Sequence, residues 1–415
     1  MQGTVNLPPY FSFRVMSYNI LADTHMATYM DNYKKCPPVC LSWENRKKTL
    51  FHEILAETPD ISCLQEVEDA QKEDLFEPFR TKGYDVLYVG RGGDRPDGCA
   101  VMYRTSEFRV VDFTPIHYQR PEVGLLDRPN VGMVVKFEVR RHPGHFVVVA
   151  NTHLLYNPRR MDIKLCQLTI LLAETERMAS CGPNKYHPVI LAGDLNARAD
   201  SGLISLLRNG SVDCRDVVPG HWRNVRITDR ETLSVPIGLL GKYLNISDTC
   251  QYTDVVAARA QGLEDPRKTQ GLEELLEKLR VCSDISLGSA CNASLSQVVT
   301  SPPKNENEYR VVRNYIAPHL RSSSWCLRHP FHFMDVYQNP ITGRHGSLRQ
   351  GNQKQLFVKD YIFYSMNSSP NQLMLVSRLR LPTFTEYKSS FPYLPNHACG
   401  SDHLPLTSTF ILPIR

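Results

Sequence analysis

Short apolar runs closed by Gly, Pro, Asn or Asp recur along the first half of the chain. Phe13–Asn19, Ile61–Glu66, Tyr84–Val89, Cys99–Tyr103, Phe108–Phe113, Val131–Val139, Phe146–Thr152 and Val189–Ala192 are too short for helices and rich in β-branched or aromatic residues, so they predict strands. Two stretches carry a helical period instead. Glu44–Glu57 places Leu50, Ile54 and Leu55 near one face and is ended by Pro59, and Met161–Arg177 aligns Leu165, Leu168, Leu171 and Leu172. A second block, from about residue 324, predicts strands at Phe333–Tyr337, Phe357–Tyr364, Leu373–Leu379 and Ser408–Leu412. Between the blocks, Gly210–Ser323 is turn-rich and polar, with one predicted helix at Leu272–Val281. The pattern predicts one catalytic domain over residues 13–412, with a looser polar insertion at about 210–323. Its architecture is two sheets packed together and flanked by helices.

Polar residues at the ends of these apolar runs carry the chemistry. A strand buries its body in the core and presents its last side chain at a cleft. Asn19, Glu66 and His153 each close a run; Asp194 and Asn196 follow Val189–Gly193; Ser401-Asp402-His403 precedes the last strand. Asp360 lies within an apolar strand, where an unpaired carboxylate is costly. Glu66 and Asn19 supply hard oxygen donors of the kind Mg²⁺ prefers, with Mn²⁺ the alternative. Asp194 and Asn196 are spaced to hold and deprotonate one water. His403, oriented by Asp360, supplies a charged donor, and His153 a donor to a non-bridging oxygen. The set suits metal-assisted phosphoryl transfer.

Composition narrows the classes. The chain has 415 residues, 42% of them hydrophobic and 22% charged, which suits a globular protein with a large core. A formal net charge of +5 permits a short nucleic-acid end as partner more readily than a long duplex. The longest clean apolar run, Phe146–Ala150, is too short to span a bilayer, so no membrane partner is expected. Met1–Arg14 shows no charged leader followed by an apolar stretch. The twelve cysteines are scattered rather than paired at zinc-finger spacing. Reduced thiols and a cytoplasmic or nuclear address are expected.

The ordered series Ser17-Tyr18-Asn19, Leu64-Gln65-Glu66, Asn151-Thr152-His153, Gly193-Asp194-Leu195-Asn196, Asp360-Tyr361-Ile362 and Ser401-Asp402-His403 resembles the endonuclease/exonuclease/phosphatase superfamily, whose members are similar to DNase I. Met16–Ala22, Pro96–Ala100 and Val358–Ser365 look like its nocturnin-containing deadenylase branch. Leu125–Gly132 and Asn151–Arg160 resemble the Angel proteins. The resemblance covers about Phe13–Leu207 and Phe333–Leu412. It implies an α/β fold, a four-layer α/β/β/α sandwich of two mostly antiparallel sheets. It also implies Mg²⁺ held by Glu66 with help from Asn19, the attacking water held by Asp194 and Asn196, and His403 oriented by Asp360. His153 would contact phosphate, and Asp402 would support His403 from beside it. Asp97 fits the branch motif.

The substrate side is drawn from the same segments. Asn157, Arg159, Arg160 and Lys164 are candidate contacts to RNA, with a solvated helix start as the plainer reading of the basic residues. Tyr156 is a candidate for stacking on a base. The function expected from the resemblance is a Mg²⁺-dependent phosphohydrolase acting on RNA 3′ ends, removing a 2′,3′-cyclic phosphate. A 3′–5′ poly(A)-specific exoribonuclease is the alternative, and a catalytically silent RNA-binding adaptor a third reading.

Overall fold

Val15 and Cys63 face one core while their neighbours Met16 and Leu64 face another, as the two-residue repeat of a strand requires. Val149 and Val148 divide in the same way in a second sheet. This division sorts the apolar residues into three layers, one between the sheets and one on each outer face. A computed structural model describes residues 9–92, 95–120, 126–214, 225–228, 231–233, 244–268, 272, 326–337, 359–368, 371–390 and 392–414.

The first sheet contains β1 (Tyr10–Asn19), β2 (Ile61–Glu68), β3 (Tyr84–Gly92), β4 (Arg95–Arg104), β11 (Met374–Arg378) and β12 (Leu406–Pro413), ordered β11-β12-β1-β2-β4-β3. The second contains β5 (Phe108–His117), β6 (Val131–Val139), β7 (Phe146–His153), β8 (Val189–Asp194), β9 (Phe333–Asp335) and β10 (Asp360–Ser365), ordered β9-β10-β8-β7-β6-β5. Each sheet is antiparallel except for one central parallel pair, β1 with β2 and β7 with β8. The expected pair of flanked, mostly antiparallel sheets is therefore what forms.

Helices cover the outer faces. Leu50 and Ile54 of α1 (Trp43–Glu57) and Phe76 and Phe79 of α2 (Lys72–Arg80) lie against the first sheet. Leu165, Leu168 and Leu172 of α3 (Met161–Ala179) lie against the second, with Leu203 and Leu207 of α4 (Gly202–Asn209). Among the described residues, no helix is long and apolar enough to cross a membrane.

Several strands run longer than the apolar runs that announced them, because cross-strand pairing carries them past the last apolar residue. Val189–Ala192 continues to Asp194, which sits opposite Asp360 in antiparallel register. Asp360 is therefore the first residue of its strand, at the sheet's end rather than in its middle.

Part of the polar middle stretch is docked on the domain. Ile246, Cys250, Tyr252 and Val255 join the core around α3. Arg259 and Gln251 bond Glu176, and Arg177 bonds Asp265 at 2.6 Å. This cover explains why α3 is buried on nearly every side despite its polar residues. The helix expected at Leu272–Val281 lies, beyond Leu272, outside the described residues.

Candidate active site

Parallel strands end together, and here both parallel pairs end at the same edge of the sandwich. Asn19 ends β1, Glu66 lies near the end of β2, His153 ends β7 and Asp194 ends β8. The Asn19 amide donates to Glu66 Oε1 at 2.9 Å within its own sheet, and to Asp194 Oδ2 at 3.1 Å in the other. His153 Nε2 lies 3.6 Å from Asp194 Oδ2 and 4.0 Å from Glu66 Oε1.

Backbone irregularities aim these groups. The pairing of β2 with β4 slips between Gln65 and Val67, so Glu66 is the extra residue of a bulge, with φ of 59°. Asn196 is also left-handed, at φ 48°, and its own N–H donates to Asp194 Oδ1 at 2.9 Å. Such conformations are costly for non-glycine residues and concentrate at functional sites. Gly193, at φ 138°, brings the strand end against β7: a Cβ there would stand 2.0 Å from the Thr152 carbonyl oxygen.

The remaining members come from the second block. His403 Nδ1 lies 2.8 Å from Asp360 Oδ2, and its Nε2 lies 4.0 Å from Asp194 Oδ2 and 3.9 Å from Asp402 Oδ1. Asp360 is thus the nearer orienting group. Asp402 accepts from the Tyr33 hydroxyl at 3.0 Å and stands beside the ring. Burial opposes charge on His403, but the carboxylates around it, Asp360 first and then Asp402 and Asp194, together raise the imidazole to about 9. Burial lifts the Asp194 carboxyl to about 6, with Asp360 adding to the rise and His403 opposing it. Burial also holds His153 well below its ordinary range, so it stays neutral. At neutral pH the site therefore pairs a cationic His403 with an ionised Asp194 of unusually high basicity.

The donors suit a cation. Ligand atoms of Glu66, His153 and Asp194 lie within 4.8 Å of one another, as do those of Asp194, Asp360 and His403. Asn196 Oδ1 and His153 Nδ1 are buried without a hydrogen-bond partner. Two carboxylates and an amide oxygen match the preference of a hard divalent ion. Asn19 is engaged at both ends of its amide. Its Oδ1 accepts from the Leu21 N–H at 3.0 Å, while its NH₂ faces the two carboxylates. Two anions converging on one amide favour its donor end.

The candidate RNA contacts separate. Lys164 is not at a solvated helix start. It is fully buried, and Nζ donates to the Asn196 carbonyl at 2.5 Å, so it braces the loop from beneath and cannot meet a phosphate from there. Burial lowers its ammonium to about 8. Arg160 grips Asp162 through both carboxylate oxygens, and Asn157 Oδ1 caps the Arg159 N–H. Tyr156 is 54% exposed. Asp97 is buried and ion-paired with Arg91 at 3.1 Å.

Four site residues went unpredicted. His25 Nδ1 lies 3.0 Å from Glu66 Oε2, which also accepts the Ala22 N–H. The Glu66 charge raises the His25 imidazole. Nothing in the polar stretch around His25 marks it. Gln65 and Asn151 bond each other across the sheets at 2.8 Å, directly behind Glu66 and His153. Arg46 could have been found. It shares the four-residue spacing of Leu50 and Ile54, a charge on an apolar stripe, and there it donates to the carbonyls of Ile20, Leu21 and Gly400.

The chain matches the Endonuclease/Exonuclease/phosphatase family over residues 16–403. It is 33% identical to human protein angel homolog 1 over 97% of its own length and 63% of that protein's, so it spans less than two thirds of that relative. It is 30% identical to human protein angel homolog 2, covering 97% and 70%. The crystal structure of ANGEL2, a 2′,3′-cyclic phosphatase, in complex with adenosine-2′,3′-vanadate superposes with a TM-score of 0.70 at 29% identity, covering 97% of this chain and 96% of that one. The human nocturnin catalytic domain shares the fold, at a TM-score of 0.50 and 17% identity over 98% and 99% of the two chains. The likeness is therefore continuous through both blocks and both sheets, and the chain belongs to the endonuclease/exonuclease/phosphatase family, in its Angel branch.

Proposed function

We propose that the protein is a metal-dependent phosphoric ester hydrolase that removes the 2′,3′-cyclic phosphate from RNA 3′ ends. The observation that carries this reading is the convergence of Glu66, Asp194, Asn196 and the Asp360–His403 pair at one edge of the paired sheets. The likeness to ANGEL2 supports the cyclic ester as substrate. Glu66 and Asp194 would hold the cation, best matched by Mg²⁺, which when bound polarises a phosphoryl oxygen and neutralises developing charge.

The chain's own groups supply the rest. Asp194 and Asn196 hold a water against phosphorus, and Asp194 is the carboxylate placed beside it to take the proton. One ring P–O bond breaks as the water's oxygen bonds to phosphorus. His403, kept cationic by Asp360, donates to the oxygen that gains charge. A second hydrolysis of the resulting monoester leaves a 2′,3′-diol and inorganic phosphate. The intact set of acids and amides speaks against a silent adaptor.

The test is a product analysis with purified protein, Mg²⁺ and two RNAs, one ending in a 2′,3′-cyclic phosphate and one in oligo(A) with a free 3′ hydroxyl. Conversion of the first to a diol without shortening the second supports the reading, as does its loss in EDTA or in Glu66→Ala. Shortening of oligo(A) with the cyclic end untouched would replace it by a deadenylase.

A further inference from the structure

Lys359 stands beside the Asp360 strand end, and the mechanism leaves it unused. It precedes Asp360, and its carbonyl accepts the Leu195 N–H at 2.9 Å, which ties it to the loop carrying Asp194 and Asn196. Its Nζ lies 4.3 Å from the ring centroid of Tyr156. Tyr156 in turn comes three residues after His153. Its approach is pinned by the Leu154 carbonyl, which accepts from the Asn196 side chain at 3.1 Å, and by the Leu155 N–H, which donates to Gln167 at 3.0 Å. A half-exposed aromatic ring and a lysine ammonium are thus fixed by the backbone to the two loops that build the site. The Lys359 charge also reaches inward, opposing the rise at Asp194 and lowering Lys164.

An aromatic face paired with a cation is the chemistry that receives a single-stranded nucleotide: the ring takes the base and the ammonium takes a backbone phosphate. Resting on the proposed RNA reading, we propose that Tyr156 and Lys359 form the platform for the nucleotide that bears the reacting phosphate, with its base stacked on Tyr156 and its 5′ phosphodiester held by Lys359. The division of labour follows from the groups themselves. A base is present in any substrate, including a lone nucleoside 2′,3′-cyclic phosphate. A 5′ phosphodiester is present only when further RNA is attached. Tyr156 therefore sets affinity for every substrate, and Lys359 separates RNA ends from free cyclic nucleotides.

The experiment measures binding apart from turnover. In the 415-residue chain silenced by Asp194→Asn, fluorescence anisotropy reads a labelled RNA ending in 2′,3′-cyclic phosphate, and adenosine 2′,3′-cyclic phosphate competes for it. Tyr156→Ala should weaken both ligands about tenfold, and Tyr156→Phe should restore them, since stacking needs the ring and not the hydroxyl. Lys359→Met should weaken the RNA several-fold, leave adenosine 2′,3′-cyclic phosphate unchanged, and reduce the salt slope for RNA by about 0.7. Unchanged RNA affinity in both Tyr156→Ala and Lys359→Met overturns the platform, and so does an equal loss of both ligands in Lys359→Met. Turnover by the otherwise wild-type chain reports separately on the hydrolase. Turnover with unchanged binding in the variants sinks the platform alone; no turnover with weakened RNA binding sinks the cyclic phosphatase alone.

Discussion

Replacing Asp360 by Asn tests the electrostatic half of the site with little change of shape. The amide keeps an acceptor at the position that now stands 2.8 Å from His403 Nδ1, but the charge is gone. Burial works against the cation, and Asp360 leads the groups that offset it, so His403 should fall from about 9 to below the ordinary 6.5. A rise from 6.5 to about 9 corresponds to ~3 kcal/mol of preference for the charged imidazole. Because the folded value lies above the unfolded one, that stabilisation is complete below pH 6.5 and is lost as pH rises through about 9. Asp360 also presses on Asp194, but that carboxyl titrates between its ordinary 3.8 and about 6, below the window that reports on His403. Denaturant unfolding of the metal-free protein from pH 6.5 to 10 should show a gap between wild type and Asp360→Asn that narrows toward pH 10. On cyclic-phosphate RNA the alkaline limb of kcat should move from about 9 to below 7, with a loss at pH 8 on the order of 10²–10³. A variant whose alkaline limb stays at about 9, or whose stability gap is flat across this range, would refute the assignment of His403 as a cation made by Asp360.

Three further outcomes follow from the same geometry. Asp194→Asn should abolish turnover yet stabilise the metal-free fold above pH 6, by up to ~3 kcal/mol from the carboxyl raised to about 6; an unfolding midpoint no higher than wild type would count against it. Gly193→Ala, whose Cβ would meet the Thr152 carbonyl oxygen at 2.0 Å, should cost more than ~2 kcal/mol and lower kcat, and a neutral melting temperature would contradict that contact. Arg46→Met leaves the carbonyls of Ile20, Leu21 and Gly400 without their buried donor, so a loss of about 3 kcal/mol or more with reduced activity is expected, checked by denaturant titration alongside kcat/KM.

Much of this site could be read from the chain itself. Core strands need continuous apolar surface, and where that surface stops a polar side chain stands at the sheet's end. Asn19, Glu66, His153 and Asp194 were legible for that reason, and the cost of an unpaired buried carboxylate pointed from Asp360 to a partner. Tertiary structure alone decided what those ends do to one another. Asn19 meets Asp194 across 175 positions of sequence, and Ser401 bonds the Asn19 carbonyl across 382. Pairings at such separations are set by which strands lie parallel, and local periodicity carries no record of that. The Glu66 bulge, the turn of the Asn19 amide toward two carboxylates and the burial of Lys164 under Asn196 depend on the same long-range register. The residue types were therefore local information, whereas the orientation of each group and the charge it carries arise from neighbours that only folding brings near.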